Sequence, residues 1–323
     1  MTPAPAWVLG AGGLLGSSVA RALPRLLPGV VPWTAARKFS WQDPAALDAE
    51  LGAATEAYLG ALGSDQPWRV LWCAGAGVVG TPAEALARET RALEMLLARL
   101  GAAGADRRGL FFLASSAGGL HAGNRELPLT EESTPSPISD YGRAKLRQEE
   151  LLSAWAAARP QVSTLTGRIS NLYGPDQNLA KPQGLIAQLS RCLLHHVPAH
   201  VFAPLDTLRD HLYAPDAAEQ ILRCMARLAE LPSPLRITKI LASGQTASIA
   251  TILAIFSRIA KRQPRIVCAG SPVGSLQPSR LVLKSTVWTD LPLSGGTPLG
   301  TGIQSVYARH LQLFQAGRLP LPS

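Results

Sequence analysis

Short continuous runs of hydrophobic residues alternate with longer amphipathic stretches through the first half of the chain. The runs at residues 6–9, 30–33, 69–73 and 110–114 predict strands, and residues 82–100 predict a long helix. Strands that are apolar at every position are buried on both faces, as in a parallel sheet covered by helices. The alternation therefore predicts an α/β fold with a doubly wound parallel sheet.

The pattern loosens after about residue 177, where prolines recur and short strands and helices are mixed. A chain of 323 residues is long enough for two lobes that share a core. We predict that residues 1–177 form the sheet unit and that residues 178–323 form a smaller mixed α/β lobe. One or two segments of this lobe are expected to return to the first sheet.

Glycines are concentrated between the first predicted strand and the helix that follows it. One glycine permits a tight turn, another lets the backbone approach a pyrophosphate, and a third lets the helix pack on the strand. Glycine-rich turns also occur for purely structural reasons, but this position between strand and helix favours the binding of NAD or NADP by a Rossmann-type sheet. The residues predicted to contact the cofactor here are Gly10, Gly12, Gly13, Leu14, Leu15 and Gly16.

The end of the second predicted strand bears on the choice between NAD and NADP. Dinucleotide sites usually carry an acidic residue there, which binds the 2′-hydroxyl of the adenosine ribose. This chain has Arg37 at that point and no carboxylate before Asp43. A basic residue suits a 2′-phosphate, so the sequence favours NADP without excluding NAD; the alternative is that Arg37 and Lys38 belong to a solvated loop. Ala74 and Gly75, after the third strand, are also predicted to contact the cofactor.

Tyr141 and Lys145 lie four residues apart in a segment with helical periodicity. Residues with this spacing share a helix face, so the ammonium can favour the phenolate of a tyrosine whose ordinary pKa is about 10. Such a tyrosine can exchange a proton with a hydroxyl while hydride moves to or from nicotinamide. The strand at residues 110–114 runs into Ser115 and Ser116, where a hydroxyl can bind the reacting oxygen, although a serine pair is also a common turn cap.

The composition is that of an ordinary globular chain, with 47% hydrophobic and 16% charged residues. The net charge of +9 is scattered in pairs without interleaved aromatic residues, so nucleic acid is not expected as a partner. No apolar run is long enough to span a bilayer, so no membrane association is expected. The four cysteines lack the spacing of a metal site, which favours a metal-free protein of the reducing cytoplasm.

Several segments carry a resemblance to a known family. Residues 8–16 look like its nucleotide turn, and residues 128–152, which include PSPISDYGRAKLRQEELL, look like its active-site helix. Residues 167–177, GRISNLYGPDQ, are similar to its RPSNPYGPGQ, and residues 209–217, RDHLYAPDA, are similar to its RDYIYVDDV. Across nearly its whole length the chain resembles the extended short-chain dehydrogenases, specifically the NAD-dependent epimerase/dehydratase group that acts on nucleotide-sugars.

The resemblance implies a role for each matching residue. Tyr141 would be the general acid and base, and Lys145 would lower its pKa and bind the nicotinamide ribose. Ser116 would bind the reacting hydroxyl. Asn171 and Arg209 would lie at the substrate diphosphate, and the planar fork of an arginine suits bidentate contact with phosphate.

The departures from the family pattern leave alternatives open. Ser115 could take the place of Ser116, although Ser116 has the usual spacing to the tyrosine. Arg209 could instead form a structural pair with Asp210 or Asp216. At residues 120–123 this chain has Leu-His-Ala-Gly where the family has Tyr-Gly. We include His121 of this segment among the predicted substrate-binding residues. An asparagine that is common on the helix at residues 82–100 is replaced by Glu89 or Thr90.

The leading hypothesis is a nucleotide-sugar epimerase that removes hydride from C4 of the sugar and returns it on the other face. A reductase of a 4-keto sugar-nucleotide that consumes NADPH is the alternative, which Arg37 favours. A non-catalytic NAD(P)-binding sensor is a third hypothesis, although such relatives generally lose the tyrosine or the lysine. The family also implies a homodimer, with the helices at residues 82–100 and 140–155 between the subunits.

Overall fold

The computed structural model describes residues 3–104, 106–180, 184–268, 270, 279–291 and 296–322. The strands, in chain order, are β1 (Ala4–Leu9), β2 (Val30–Trp33), β3 (Trp68–Trp72), β4 (Gly109–Ser116), β5 (Val162–Ile169), β6 (Asn171–Tyr173), β7 (Ala199–Val201), β8 (Leu208–Tyr213), β9 (Arg236–Leu241), β10 (Thr246–Ser248) and β11 (Ile266–Cys268). The helices are α1 (Leu14–Leu26), α2 (Pro44–Gly60), α3 (Ala83–Ala103), α4 (Ala117–Leu120), α5 (Asp140–Ala157), α6 (Leu185–His195), α7 (Ala214–Glu230), α8 (Ile249–Ala260) and α9 (Leu299–Gln315).

Six strands form one parallel sheet in the order β2-β1-β3-β4-β5-β9. In the central pair, β4 and β5 stay in register from Gly109 opposite Val162 to Ser116 opposite Ile169. The predicted doubly wound parallel sheet is confirmed. The strand order reverses between β1 and β3, and sheets of this kind bind ligands in the crevice beyond the carboxyl ends of the strands at such a reversal.

Helices cover both faces of the sheet, as the continuous apolar strands predict. On one face α1 and α7 pack on residues such as Val8, and Ile221 of α7 is buried there. On the other face Leu51 of α2 and Leu93 of α3 pack with Trp7. The hydrophobic pattern gives no prediction for residues 44–60, where the structure has α2.

The second half of the chain contributes to both units. A three-stranded sheet in the order β10-β8-β6 and the pair β7–β11 lie with α6, α8 and α9 around a separate core that includes Tyr173, Phe256 and Ile303. In contrast, β9 is the last strand of the large sheet, and α7 packs on α1. The boundary near residue 177 stays a prediction, and two elements beyond it belong to the layers of the first sheet.

The two helices that the family resemblance assigns to a dimer interface are α3 and α5. They pack against each other within the chain and cover one face of the sheet. The homodimer stays a prediction. Among the described residues, no helix is both long enough and apolar enough to cross a membrane.

Replacement of Phe112 by alanine tests the packing of the central strand. The Phe112 ring is fully buried, and one of its carbons lies 2.7 Å from the point that a Cβ on Gly167 would occupy. We expect Phe112→Ala to lower the free energy of unfolding by about 3–5 kcal/mol, because it leaves a cavity in the core.

The matched control is Phe202→Ala, because Phe202 is 52% exposed. It should change the free energy of unfolding by no more than about 0.5 kcal/mol. Urea unfolding followed by tryptophan fluorescence measures both variants, and equal losses would contradict the packing described here.

Candidate active site

The carboxyl ends of β1, β3, β4 and β5 lie along one edge of the parallel sheet. The glycine turn follows β1, Ala74 and Gly75 follow β3, Ser116 ends β4, and Asn171 lies two residues beyond β5. The fold therefore brings together predicted site residues that are far apart in sequence. They lie beside the crevice between β1 and β3.

Backbone contacts in the glycine turn leave no room for two side chains. Gly10 has a φ of +84°, and a Cβ on it would lie 2.7 Å from backbone atoms of Cys73 and Ala74. A Cβ on Gly16 would overlap the carbonyl oxygen of Gly10. Gly12 differs, because a Cβ there would have nothing within 4 Å. The turn is thus closed on the protein side and open at Gly12, which is the shape that a pyrophosphate needs.

The first turn of α1 adds hydrogen-bond donors to this cradle. Its N-cap residue is Gly13, which supplies no side-chain acceptor. The N–H groups at Leu14 and Leu15 belong to the first helical turn, whose donors have no acceptor within the helix. The positive end of the helix dipole adds to their attraction for an anion.

Successive residues of β4 place two serine side chains on opposite sides of the strand. Ser116 Oγ accepts the N–H of Gly119 at 3.1 Å, and a Cβ on Gly119 would lie 3.2 Å from Ser116 Oγ and 3.0 Å from the ring of Tyr141. Ser115 Oγ instead donates to Glu149 Oε1 at 2.6 Å. The geometry therefore places Ser116, and not Ser115, beside the tyrosine.

Lys145 lies one helical turn beyond Tyr141 on α5. Its Nζ is 6.0 Å from the centre of the tyrosine ring, and it donates to Gln148 Oε1 at 3.0 Å and to the carbonyl oxygen of Ala114 at 3.4 Å. The lysine is 7% exposed. These contacts hold the ammonium at the edge of the sheet, close to the end of β4.

The phenol of Tyr141 is harder to ionise than the spacing of the tyrosine and lysine predicts. Burial raises its pKa above the ordinary value, the nearby Ser116 hydroxyl lowers it, and the charge of Glu89 raises it. The net direction is upward, because removal of the phenolate from water outweighs the other effects. Additional positive charge at this site would favour the phenolate.

His121 lies in a buried network behind β4. The residue is fully buried, with Nδ1 3.3 Å from Asn124 Oδ1 and Nε2 3.4 Å from a guanidinium nitrogen of Arg168. Burial and then the charge of Arg168 lower the pKa of His121, which keeps the ring neutral. The structure does not bring this predicted substrate-binding residue to the open surface of the site.

The buried ion pair between Arg168 and Glu149, at 2.9 Å, is absent from the sequence-based predictions. It joins β5 to α5 and also holds Ser115 through Glu149. The one charged residue of β5, Arg168, was the signal in the sequence. The partner on α5 could be found only from the fold.

Arg209 and Asn171 lie on neighbouring strands, β8 and β6, of the three-stranded sheet. Asn171 Nδ2 donates to the backbone carbonyl oxygen of Asp210 at 3.1 Å. Burial lowers the pKa of the Arg209 guanidinium to about 10. A guanidinium that has lost water without gaining a carboxylate is suited to an anionic ligand.

The alternative pairing of Arg209 with a neighbouring aspartate is not found. Two serine hydroxyls donate to the carboxylate of Asp210, at 2.6 and 2.8 Å, and Thr297 donates its N–H and hydroxyl to Asp216 at 2.6 and 2.8 Å. Among the ion pairs of the described residues, none includes Arg209.

Arg37 is exposed in the segment between β2 and α2. Two carboxylates that follow it in the chain have other partners. Asp43 accepts two N–H groups at the start of α2, and Glu50 accepts the N–H and the hydroxyl of Ser40 at 2.6 and 2.8 Å. In the part of the chain that the structure describes, no ion pair includes Arg37 or Lys38.

The profile of the NAD dependent epimerase/dehydratase family matches residues 6–237. The chain belongs to this family. The matched range includes every candidate site residue from Gly10 to Arg209 and ends within β9. A nicotinamide dinucleotide, which the family name specifies, fits the open backbone at Gly12 and the donors at the start of α1.

Two curated relatives match shorter segments. The dTDP-L-rhamnose 4-epimerase of Burkholderia thailandensis is 33% identical over 129 residues, which cover 39% of this chain and 34% of the relative. The dTDP-4-dehydro-6-deoxyglucose reductase of Escherichia coli is 26% identical over 108 residues, which cover 33% of this chain and 34% of the relative. This chain thus spans about a third of the length of each curated relative that it matches.

The fold of this family member is shared with solved structures. One is RMD from Pseudomonas aeruginosa in complex with NADPH, with a TM-score of 0.75 and 21% sequence identity. The match covers 95% of this chain and 97% of that chain. The likeness confirms the Rossmann-type architecture.

Alanine substitutions at Gly16 and Gly12 distinguish the structural role of the glycine turn from its role in ligand binding. Gly16→Ala forces a Cβ onto the carbonyl oxygen of Gly10, so we expect the free energy of unfolding to fall by about 1–3 kcal/mol. Gly12→Ala meets no atom within 4 Å and should leave stability unchanged while it weakens dinucleotide binding. Denaturant unfolding and calorimetric titration with NAD and NADP measure these effects, and equal stability of the two variants would contradict the described packing.

Proposed function

We propose that this protein is a nucleotide-sugar epimerase that oxidises and re-reduces a sugar C4 hydroxyl with a bound nicotinamide dinucleotide. The observation that carries the proposal is the grouping of Ser116, Tyr141 and Lys145: a Cβ on Gly119 would lie 3.2 Å from Ser116 Oγ and 3.0 Å from the Tyr141 ring, and Lys145 Nζ is 6.0 Å from the centre of that ring. This acid/base group lies at the same sheet edge as the glycine turn. An acid/base group beside a cofactor cradle is what a reversible hydride transfer requires.

The dinucleotide, when bound, would accept a hydride from the sugar and return it. The turn at residues 10–16 would hold its pyrophosphate, and Lys145 would hold its nicotinamide ribose. Tyr141 Oη would take the proton of the C4 hydroxyl during oxidation and give it back during reduction. Ser116 Oγ would hydrogen-bond the same sugar oxygen and keep it within reach of the tyrosine.

The substrate diphosphate would lie between Asn171 and Arg209. Arg209 supplies a charge that does not titrate near neutral pH and that has no carboxylate partner among the described residues. Asn171 is held by its contact with the backbone of β8 and can present its amide to a phosphate oxygen. His121 is buried, and we propose that it supports the end of β4 through Arg168 and does not touch the sugar.

A reductase of a 4-keto sugar-nucleotide is the second candidate. The exposed Arg37, where an acidic residue is usual, favours NADPH, which a reductase consumes at each turnover. The similarity to the Escherichia coli reductase also supports a reductase function. A non-catalytic sensor is disfavoured because the chain keeps Tyr141, Ser116 and Lys145 and brings them to the same sheet edge.

Mass spectrometry of the nucleotide released from freshly purified protein distinguishes these functions. Tightly held NAD would support the epimerase, whereas empty protein that binds NADPH would support the reductase. Protein that releases no nucleotide and binds none would contradict both. Proton NMR of UDP- and dTDP-hexoses incubated with the protein then identifies a change of configuration at C4.

Tyr141→Phe removes the hydroxyl that exchanges the proton. We expect kcat to fall by about 10²- to 10⁴-fold, the range that general acid/base catalysis supplies, with little change in dinucleotide affinity. The control is Tyr307→Phe, which removes the same atom from α9 and should keep full activity. Steady-state kinetics measures both variants, and an active Tyr141→Phe enzyme would exclude the proposed acid/base role.

Arg37→Ser tests the preference for NADP. The loss of a charge-assisted contact with the 2′-phosphate should weaken NADPH binding about tenfold, while NADH binding changes little. The control is Arg147→Ser, because Arg147 is an exposed arginine on α5. Fluorescence titration gives the dissociation constants, and an equal loss for both nucleotides would show that Arg37 does not bind the 2′-phosphate.

A further inference from the structure

Glu89 lies on α3, at a position where the family usually has an asparagine. Its carboxylate contacts the segment that follows β3. Its Oε1 accepts the N–H groups of Ala76 and Gly77, each at 2.6 Å. The neighbouring Thr90 has other partners: its hydroxyl donates to the carbonyl oxygen of Leu86 and accepts from Gln148 Nε2 at 3.4 Å. Of the two residues that could replace the asparagine, Glu89 is the one that contacts this segment.

The second carboxylate oxygen of Glu89 lies beside Gly75. The position of a Cβ on Gly75 would be 3.5 Å from Glu89 Oε2 and 3.7 Å from Lys145 Nζ. Gly75 is therefore close to both the Glu89 carboxylate and the Lys145 ammonium. Its φ of +153° and its lack of a side chain keep this space open.

Gly75 also lies on the path of a bound dinucleotide. Gly10, in the turn that would hold the pyrophosphate, contacts Ala74 directly. Lys145, which would hold the nicotinamide ribose, has its Nζ 3.7 Å from the point that a Cβ on Gly75 would occupy. A dinucleotide held at both the turn and the lysine would bring its nicotinamide half close to Gly75 and to the Glu89 carboxylate.

We propose that Glu89 biases this site toward the oxidised form of the cofactor. This inference rests on the proposed function, which places the nicotinamide beside Tyr141. The oxidised nicotinamide ring carries a positive charge and the reduced ring is neutral, so a nearby carboxylate stabilises only the oxidised form. The interaction is strong in a partly buried site, where the effective dielectric constant is far below that of water.

The charge of Glu89 also acts on Tyr141, which lies where the proposed proton transfer takes place. Glu89 is one of the two influences that raise the pKa of Tyr141. The neutral asparagine that is usual in the family would supply no such charge. An enzyme that rests with oxidised cofactor begins its cycle by oxidising the sugar, which is the first step of the proposed epimerisation.

Glu89→Gln tests the inference because the amide oxygen can still accept the two N–H groups while the charge is lost. We expect the ratio of the dissociation constants for the oxidised and the reduced nucleotide to rise about fivefold or more, because only the oxidised form loses a charge interaction. Glu89→Asn, a second neutral variant with the residue usual in the family, should show the same direction. The control is Glu84→Gln on the same helix, where the carboxylate is 88% exposed and the ratio should not change.

Isothermal titration of wild type and variants with both redox forms gives the ratios. Wild-type protein that binds neither form would contradict the proposed function itself. Wild-type binding with an unchanged ratio in the neutral variants would overturn the role of Glu89 alone. An equal loss for both forms would show that Glu89 supports the segment after β3 without selecting a redox state.

Discussion

The close approach of the first turn to the end of β3 is the contact on which the rest of the site depends. Gly10 touches the backbone of Cys73 and Ala74, and Gly16 brings α1 onto the same turn. These contacts set the width of the crevice between β1 and β3. They also leave the backbone at Gly12 open, since a Cβ there would have nothing within 4 Å. A side chain at Gly10 or Gly16 would push the turn away from β3 and α1.

Burial affects the ionisation of Arg209 and Tyr141 more than ion pairing does. Arg209 and Tyr141 have both lost water, and in each the charged form is disfavoured as a result. Their charged forms gain most from a ligand of opposite sign, a diphosphate for the arginine and a cationic ring near the phenolate. The buried pair of Arg168 and Glu149 is different, because its charges satisfy each other and fix β5 to α5.

Much of the fold and part of the site could be predicted from the sequence, because strands buried on both faces leave a plain hydrophobic pattern. The glycine turn and the spacing of Tyr141 and Lys145 are local, so their geometry follows from the helix and the strand that carry them. The choice between Ser115 and Ser116 could not be made from the residues, since it depends on which side of β4 faces α5. The burial of His121 and the partner of Arg168 depend on contacts between elements far apart in sequence. The raised pKa of Tyr141 also depends on such contacts, because the tyrosine loses its water only in the folded site.

Ser115 and Ser116 have different neighbours because they point to opposite sides of β4. The side of the strand to which each residue points therefore decides which serine lies beside Tyr141. One serine faces a buried carboxylate and the next faces the reacting tyrosine. A one-residue insertion or deletion in this strand would exchange the two hydroxyl environments without changing the identity of any side chain near the strand end. The position of Ser116 beside Tyr141 therefore depends on the number of residues from Gly109 to Ser116 as much as on their identity, and variation in length should be tolerated in the loops around β4 but not within it.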